Sequence, residues 1–127
     1  MTAYRRLGIV LVASALTLAS QASARAEDQF KLLDANQIRA RIVGNDITDG
    51  PHWSMYLRPD GKLISAESGS SWTGIWKIQG NKLCLSLPSS ASVECNEVWM
   101  SAANLIRMRA RKDQETFDAV IAKHHGK

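Results

Sequence analysis

Residues 72–87 read WTGIWKIQGNKLCLSL, and their alternating pattern decides the fold class of this 127-residue chain. Trp72, Gly74, Trp76 and Ile78 occupy every second position of the first half, and three leucines do the same in the second half. A period of two places such residues on one face of a β-strand. Gln-Gly-Asn at 79–81 is a turn sequence. The stretch therefore predicts a β-hairpin with one apolar face.

The same alternation continues on both sides of this hairpin. Turns that contain Gly, Pro, Asn or Asp separate the segments, and such short connections exclude a parallel sheet because they cannot carry crossover helices. We expect a mainly β protein, an antiparallel meander of about seven strands that forms a small barrel or a sandwich. The predicted strands lie at 53–58, 62–66, 72–78, 83–87, 93–99, 106–111 and 116–122.

One short helix is predicted before the strands. Asp34 and Gln37 have the spacing of a capping box, in which each side chain bonds the other residue's backbone N–H. Ile38 and Ile42 share one face, and Gly44 stands where a left-handed residue would end the helix. We expect an N-terminal helix of about two turns with a narrow apolar stripe.

Residues 1–26 have the three parts of a secretory signal peptide. Arg5 and Arg6 precede an uncharged apolar stretch at 7–18, and Ala24-Arg25-Ala26 provides a cleavage site of the A-x-A type. The apolar stretch is shorter than the roughly 20 residues of a membrane span. We expect cleavage and a periplasmic or secreted product, with an uncleaved N-terminal anchor as the alternative.

Cleavage would leave residues 27–127, which we expect to form a single small β-barrel-like domain without a stable membrane span. Three of the 16 basic residues leave with the signal, so 13 basic residues remain against 12 acidic ones and the net charge is +1. A nucleic-acid-binding domain needs a basic surface. This balance therefore argues against a nucleic-acid partner.

Cys84 and Cys95 are the two cysteines of the chain. Two cysteines at this spacing most simply pair in an oxidising compartment, and their loop would contribute about 3 kcal/mol to stability. The spacing is not C-x-x-C, which argues against a metal site or a reactive pair. Strict pairing sets Leu85 opposite Glu94, so we expect a bulge near Glu94 or Asn96.

Four segments carry a family resemblance: LLDANQIRARIVGN at 32–45, YLRPDGKL at 56–63, GIWKIQGNKLCLSL at 74–87 and VECNEVW at 93–99. Together they resemble a group of small secreted proteobacterial proteins of unknown function. That group shares the helix, a Y-x-x-x-D-G turn, a G-x-W strand and a disulfide-linked hairpin. The resemblance implies this fold and export, and it implies no activity.

The chain is also similar, more loosely, to secreted β-barrel inhibitors of metalloproteases. They combine a G-x-W strand, here Gly74-Ile75-Trp76, with one disulfide. Such inhibitors act through an N-terminal arm, for which residues 27–33 are the counterpart. This likeness implies an alternative function, an inhibitor or regulator of an exported enzyme such as a protease.

Two groups of residues are candidates for binding. Four tryptophans could contact an apolar ligand or a sugar, or could simply form the core. Three arginines on one face of a strand could dock an anionic partner, or could form a solvated face that protects a sheet edge. The tryptophans are Trp53, Trp72, Trp76 and Trp99, and the arginines are Arg107, Arg109 and Arg111.

Histidines provide little evidence of catalysis or metal binding. His52 lies near Asp49, but no G-x-S-x-G or other nucleophile motif accompanies it. His124 and His125 are adjacent, and we expect them in a frayed tail beyond the last strand. We expect no catalytic residue, metal site or cofactor. The sequence is best interpreted as an exported non-enzymatic envelope protein that binds an unknown ligand or protein partner in the periplasm.

Overall fold

The structure, a computed structural model, describes residues 29–88 and 92–126. The predicted signal peptide at 1–26 lies outside the described residues. None of the helical structure within them is long and apolar enough to cross a membrane. In chain order the elements are β1 (Lys31–Leu32), α1 (Ala35–Arg41), β2 (Asn45–Thr48), β3 (Trp53–Leu57), β4 (Lys62–Glu67), β5 (Ser70–Gln79), β6 (Lys82–Ser86), β7 (Glu94–Met100), β8 (Leu105–Arg109) and β9 (Phe117–Lys123).

Strands β2 to β9 form a closed up-and-down barrel. Each strand pairs antiparallel with the next, and β9 pairs back to β2 with Ile121 opposite Ile47. Every strand of the ring has a partner on both sides, which removes the exposed edges of an open sheet. The prediction of a mainly β antiparallel meander with one short helix and one disulfide is confirmed. Of the two predicted architectures, the barrel is the one that forms.

The sequence prediction misses two of the nine strands. β2 spans only four residues and follows the helix after a short turn, so its alternation is too brief to read. β1 spans two residues and pairs with β7 at Trp99 and Met100. β6 pairs only with residues 94–96 of β7. The later residues of β7 are therefore free to pair with β1 on that same side. A strand placed by such a distant partner has no local signature.

The helix α1 forms as its capping residues predict. Asp34 Oδ1 accepts a 2.8 Å hydrogen bond from the Gln37 backbone N–H, and Gln37 Oε1 accepts one of 2.9 Å from the Asp34 backbone N–H. Ile38 and Ile42 are fully buried. Burial of each of these side chains stabilises the fold by roughly 1.5–3 kcal/mol.

The helix covers one end of the barrel, which we call the closed end. It packs against β5 and β6, and the Ala35 backbone N–H donates to Asn81 Oδ1 in the turn between these strands. Just after the helix, the Gly44 backbone N–H donates to the Leu57 carbonyl at the end of β3. At the opposite end, which we call the open end, the connections β2–β3, β4–β5, β6–β7 and β8–β9 meet.

Alternate side chains of the strands fill the barrel. The register of paired residues assigns the inward positions consistently around the ring. The fully buried strand residues that face inward are Ile47, Leu57, Leu63, Leu83, Val98, Ile106 and Met108. The barrel is therefore a packed core rather than a wide channel.

The disulfide joins Cys84 and Cys95, which lie directly opposite each other on β6 and β7. The same regular register sets Leu85 opposite Glu94 and Leu83 opposite Asn96. The expected bulge is therefore not formed between these paired residues. Glu94 begins β7 at the open end, where an inward position still meets solvent, and its side chain is exposed. The regular pairing of Leu85 with Glu94 therefore does not bury the Glu94 carboxylate.

Candidate functional site

Three aromatic side chains face inward at the open end: Trp53 on β3, Trp72 on β5 and Phe117 on β9. We call them the aromatic cluster. Both tryptophans are half-buried against the core, and Phe117 is 42% exposed. The rings of Trp53 and Phe117 meet edge to face, with centroids 6.4 Å apart and planes at 71°. Edge-to-face packing is a favourable arrangement for aromatic rings, so two members of the cluster support each other.

Two grooves open at this end. One, of about 370 Å³, is lined by Phe117, Asn96 and Met108 among others, and the second, of about 330 Å³, is lined by Trp53 and the β2–β3 and β4–β5 connections. Each groove thus includes one ring of the edge-to-face pair. The arrangement can accept small apolar groups on either side of that pair.

Polar groups lie on the inner wall below the aromatic cluster. Ser65 and Asn96 are both buried. The Ser65 hydroxyl donates to the Ser54 carbonyl at 3.3 Å, and Asn96 Nδ2 lies 3.4 Å from the carbonyls of Leu83 and Glu94. Buried polar side chains normally keep such partners. Since deeper strand positions are apolar, the inner wall changes from polar to apolar away from the mouth.

Acidic side chains outnumber basic ones among the described residues of the open end. Five carboxylates and three cations lie on its connections and strand ends, so the open end has an excess of negative charge that favours neutral or cationic molecules. The carboxylates are Asp49, Glu67, Glu94, Asp113 and Glu115, and the cations are Arg109, Arg111 and Lys112.

Asp49 and His52 have a structural role in the β2–β3 connection. Asp49 Oδ1 accepts hydrogen bonds from the backbone N–H groups of His52 and Trp53, and Asp49 Oδ2 lies 2.9 Å from His52 Nδ1. Partial desolvation acts to raise the pKa of Asp49, but these backbone bonds and the contact with His52 lower it overall. The pair shapes the connection that carries Trp53.

The four predicted tryptophan contacts fall into three environments. Trp53 and Trp72 belong to the open end, as described above. Trp76 is only 6% exposed, and its Nε1–H donates a 2.8 Å hydrogen bond to the Arg58 carbonyl, which ties the core to the β3–β4 turn. Trp99 lies on the outer wall, with the Arg109 guanidinium 5.0 Å from its ring centroid. Only Trp53 and Trp72 lie at the open end, and of the four only Trp53 lines one of its two grooves.

The predicted arginine surface carries its own counter-charges. Arg107 Nε lies 2.9 Å from Asp118, Arg109 Nε lies 3.6 Å from Glu97, and Arg111 Nε lies 3.2 Å from Asp113. Arg107 also stacks over the Phe30 ring at 3.9 Å. Because each cation has a carboxylate beside it, this surface has little net charge to attract an anionic partner.

His124 is not frayed, contrary to the sequence prediction. Its Nδ1 lies 2.9 Å from Asp46 Oδ1, and its ring stacks on Tyr56 with centroids 3.5 Å apart and planes at 4°. These contacts fasten the chain beyond β9 to the outer wall. No group of three or more potential metal ligands occurs among the residues that the structure describes.

Sequence reasoning missed a set of cations at the closed end. They are far apart in the chain, so no local motif could reveal them, and only the topology brings them together. All are exposed, and in residues 29–88 and 92–126 none of them makes an ion pair. The closed-end cations are Lys31, Arg39, Arg41, Lys62, Lys82 and Lys123.

No family model, curated protein or solved structure matches the chain. The resemblance to small secreted proteobacterial proteins therefore stays a prediction.

Proposed function

We propose that this protein is an exported, non-enzymatic binding protein of the cell envelope whose ligand binds in the grooves at the open end of the barrel. One observation carries the proposal. The aromatic cluster faces inward but stays partly exposed there, while Leu57, Leu63 and Leu83 near the closed end are fully buried. Partly hydrated rings in a concave site gain free energy when a ligand displaces their water.

The size of the grooves limits the part of the ligand that is bound. Volumes of about 330 and 370 Å³ lie near the lower end of the range of small-molecule sites. Each groove can hold an aromatic ring or a short alkyl chain beside Trp53 or Phe117. The ligand is therefore a small apolar group, either free or presented by a larger molecule.

The charge of the mouth limits the rest of the ligand. The excess of carboxylates around the open end disfavours an anionic molecule and favours a neutral or positively charged one. A neutral amphiphile or an amine that carries an apolar group fits both the rings and the charge.

The localisation in the proposal follows from the predicted signal peptide and from the disulfide. The bridge between Cys84 and Cys95 is compatible with an oxidising compartment. Periplasmic or secreted localisation is thus part of the same proposal.

The alternative function, an inhibitor that acts through an arm at residues 27–33, has less support. Lys31 and Leu32 pair with β7, and Leu33 is buried with its N–H bonded to the Val98 carbonyl at 2.8 Å. The second half of the arm is therefore engaged in the barrel and is not available to a protease.

A neutral fluorescent probe tests the proposal. N-phenyl-1-naphthylamine should bind the purified protein and brighten, and Trp53→Ala should weaken this binding by about tenfold or more, as for an aromatic anchor residue. Trp99→Ala on the outer wall is the matched control and should leave the affinity unchanged. Equal affinities in both variants, or no binding to the wild type, would contradict a ligand site at the open end.

Native mass spectrometry of protein purified from its own cell envelope is the complementary measurement. An additional small-molecule mass that is lost in Trp53→Ala would identify the ligand. Co-purification of an exported protease instead, retained in Trp53→Ala, would favour the inhibitor.

A further inference from the structure

The closed end carries more positive than negative charge among the described residues. Six exposed cations lie there without ion pairs, on α1 and near the ends of β1, β4, β6 and β9. Three carboxylates lie in the same region: Asp34 caps the helix, Asp46 contacts His124, and Asp60 pairs with Arg58. With Arg58 included, seven cations stand against these three carboxylates, so a net positive charge is available to an external anion.

A groove of about 340 Å³ lies within this charged region, between β1, α1 and the β7–β8 turn. Lys31 and Arg41 contribute two cations to its lining, and Leu33 and Met100 contribute buried apolar side chains. Gln37 also lines it. The Gln37 oxygen is used in the capping box, so the amide N–H groups are the part of this side chain that can donate to a ligand.

We propose that the closed end docks on an anionic lipid bilayer and that the groove receives the phosphate of a lipid headgroup. Arg41 can bind phosphate oxygens through two parallel N–H groups, and Lys31 supplies a point charge. The apolar lining suits the glycerol and the first carbons of the lipid. Leu32, which is 56% exposed beside Lys31, adds an apolar contact.

The distribution of the cations favours a flat anionic surface over a compact acidic partner. They lie on the helix and on strand ends around the barrel, so a plane placed against this end can meet them together. Each Lys or Arg near an anionic bilayer strengthens binding by about fivefold at moderate ionic strength. The acidic open end would face away from the bilayer, which leaves the aromatic cluster accessible to a ligand.

Vesicle flotation tests the docking, with the protein expressed as the full chain and its intact mass recording whether residues 1–26 are present. Vesicles with about 30% phosphatidylglycerol should bind the protein, and vesicles of phosphatidylcholine alone should not. The double variant Lys31→Gln/Arg41→Gln should bind the anionic vesicles roughly 25-fold more weakly, about fivefold for each charge. Raising the salt from about 0.05 to 0.5 M should release the wild type.

A matched control removes the same charge from the open end. Arg111→Gln/Lys112→Gln should bind the anionic vesicles within about twofold of the wild type, because these side chains face away from the bilayer. Thermal unfolding of both double variants should match the wild type, which shows that binding and not folding has changed. An equal loss in the two double variants would overturn the docking orientation, and wild-type binding that ignores phosphatidylglycerol would overturn the proposal.

Competition with a soluble anion distinguishes binding to a lipid phosphate from binding to free phosphate. Inorganic phosphate should compete only weakly with vesicles, since it meets two of the six cations. Tight calorimetric binding of inorganic phosphate that is lost in Lys31→Gln/Arg41→Gln, without vesicle binding, would assign the groove to a free anion and contradict the bilayer. The docking does not depend on the proposed ligand of the open end. The variant Trp53→Ala should therefore bind anionic vesicles as tightly as the wild type does.

Discussion

Gly74 on β5 lies directly against the backbone of Ser86 on β6, so that a Cβ atom at position 74 would overlap the Ser86 carbonyl oxygen. Gly74 occupies an inward, buried position between Trp72 and Trp76. The glycine of the G-x-W segment is thus required by the close approach of two barrel strands. Backbone atoms cannot move aside as a flexible side chain can.

Gly74→Ala should therefore destabilise the barrel by about 1–3 kcal/mol, the usual effect of overpacking a core. Urea unfolding followed by tryptophan fluorescence measures it. Thr73→Ala, one position away and exposed on the outer wall, is the control and should change stability by less than about 0.5 kcal/mol. Equal stabilities of Gly74→Ala and wild type would show that the strands can separate without penalty.

The disulfide leads to a second prediction. Replacing Cys84 and Cys95 by Ala should lower the free energy of unfolding by about 2–5 kcal/mol, as for native bridges of small secreted domains. Adding reductant to the wild type should lower the melting temperature in the same direction. A melting temperature that does not move in either experiment would contradict a stabilising role for the bridge.

A third prediction concerns acid. The hydrogen bond from the Arg58 guanidinium lowers the pKa of Asp60 to about 2, although partial desolvation opposes it. A carboxylate with a depressed pKa stabilises the fold at pH values above its unfolded pKa of about 4, and this contribution is lost as the pH falls towards 2. Asp60→Asn should therefore reduce stability at neutral pH and flatten the acid limb of the stability curve.

Melting temperatures recorded from pH 7 to about pH 2 test this. The gap between wild type and Asp60→Asn should narrow as the pH falls. A gap that stays constant over the whole range would mean that the ion pair between Arg58 and Asp60 does not contribute.

The fourth prediction concerns the chain beyond β9. His124→Ala removes both the stack on Tyr56 and the contact with Asp46, and should destabilise the protein by about 0.5–1.5 kcal/mol. Amide hydrogen exchange should accelerate in β9 and β2, which this contact fastens together. His125→Ala, at an exposed neighbouring position, is the control, and identical exchange in the two variants would contradict the anchoring role.

The alternation of apolar residues predicted the fold because strand faces are a local property. Trp72 and Trp76 face inward as their positions indicate. β1 could not be predicted, since only its pairing with Trp99 on distant β7 places it. The exposure of Glu94 also depends on tertiary structure. An inward-facing residue is solvent-exposed at the open end of the barrel and buried in its interior.

The candidate site was predictable only in part, for the same reason. The sequence identifies Trp53 and Trp72 as candidates, but it cannot separate them from Trp76, which is core, or Trp99, which lies outside. It also singles out Arg107 and its neighbours because they are close in the chain, and their carboxylate partners neutralise them. The unpaired cations of the closed end come from five different elements, and only the folded topology gathers them.

The indole N–H signals of the four tryptophans report directly on whether a ligand binds at the open end. In a ¹⁵N-labelled sample titrated with N-phenyl-1-naphthylamine, the signals of Trp53 and Trp72 should shift with one common affinity, while those of Trp76 and Trp99 should stay in place. Shifts centred on Trp99, or none at any of the four indoles, would contradict ligand binding at the open end.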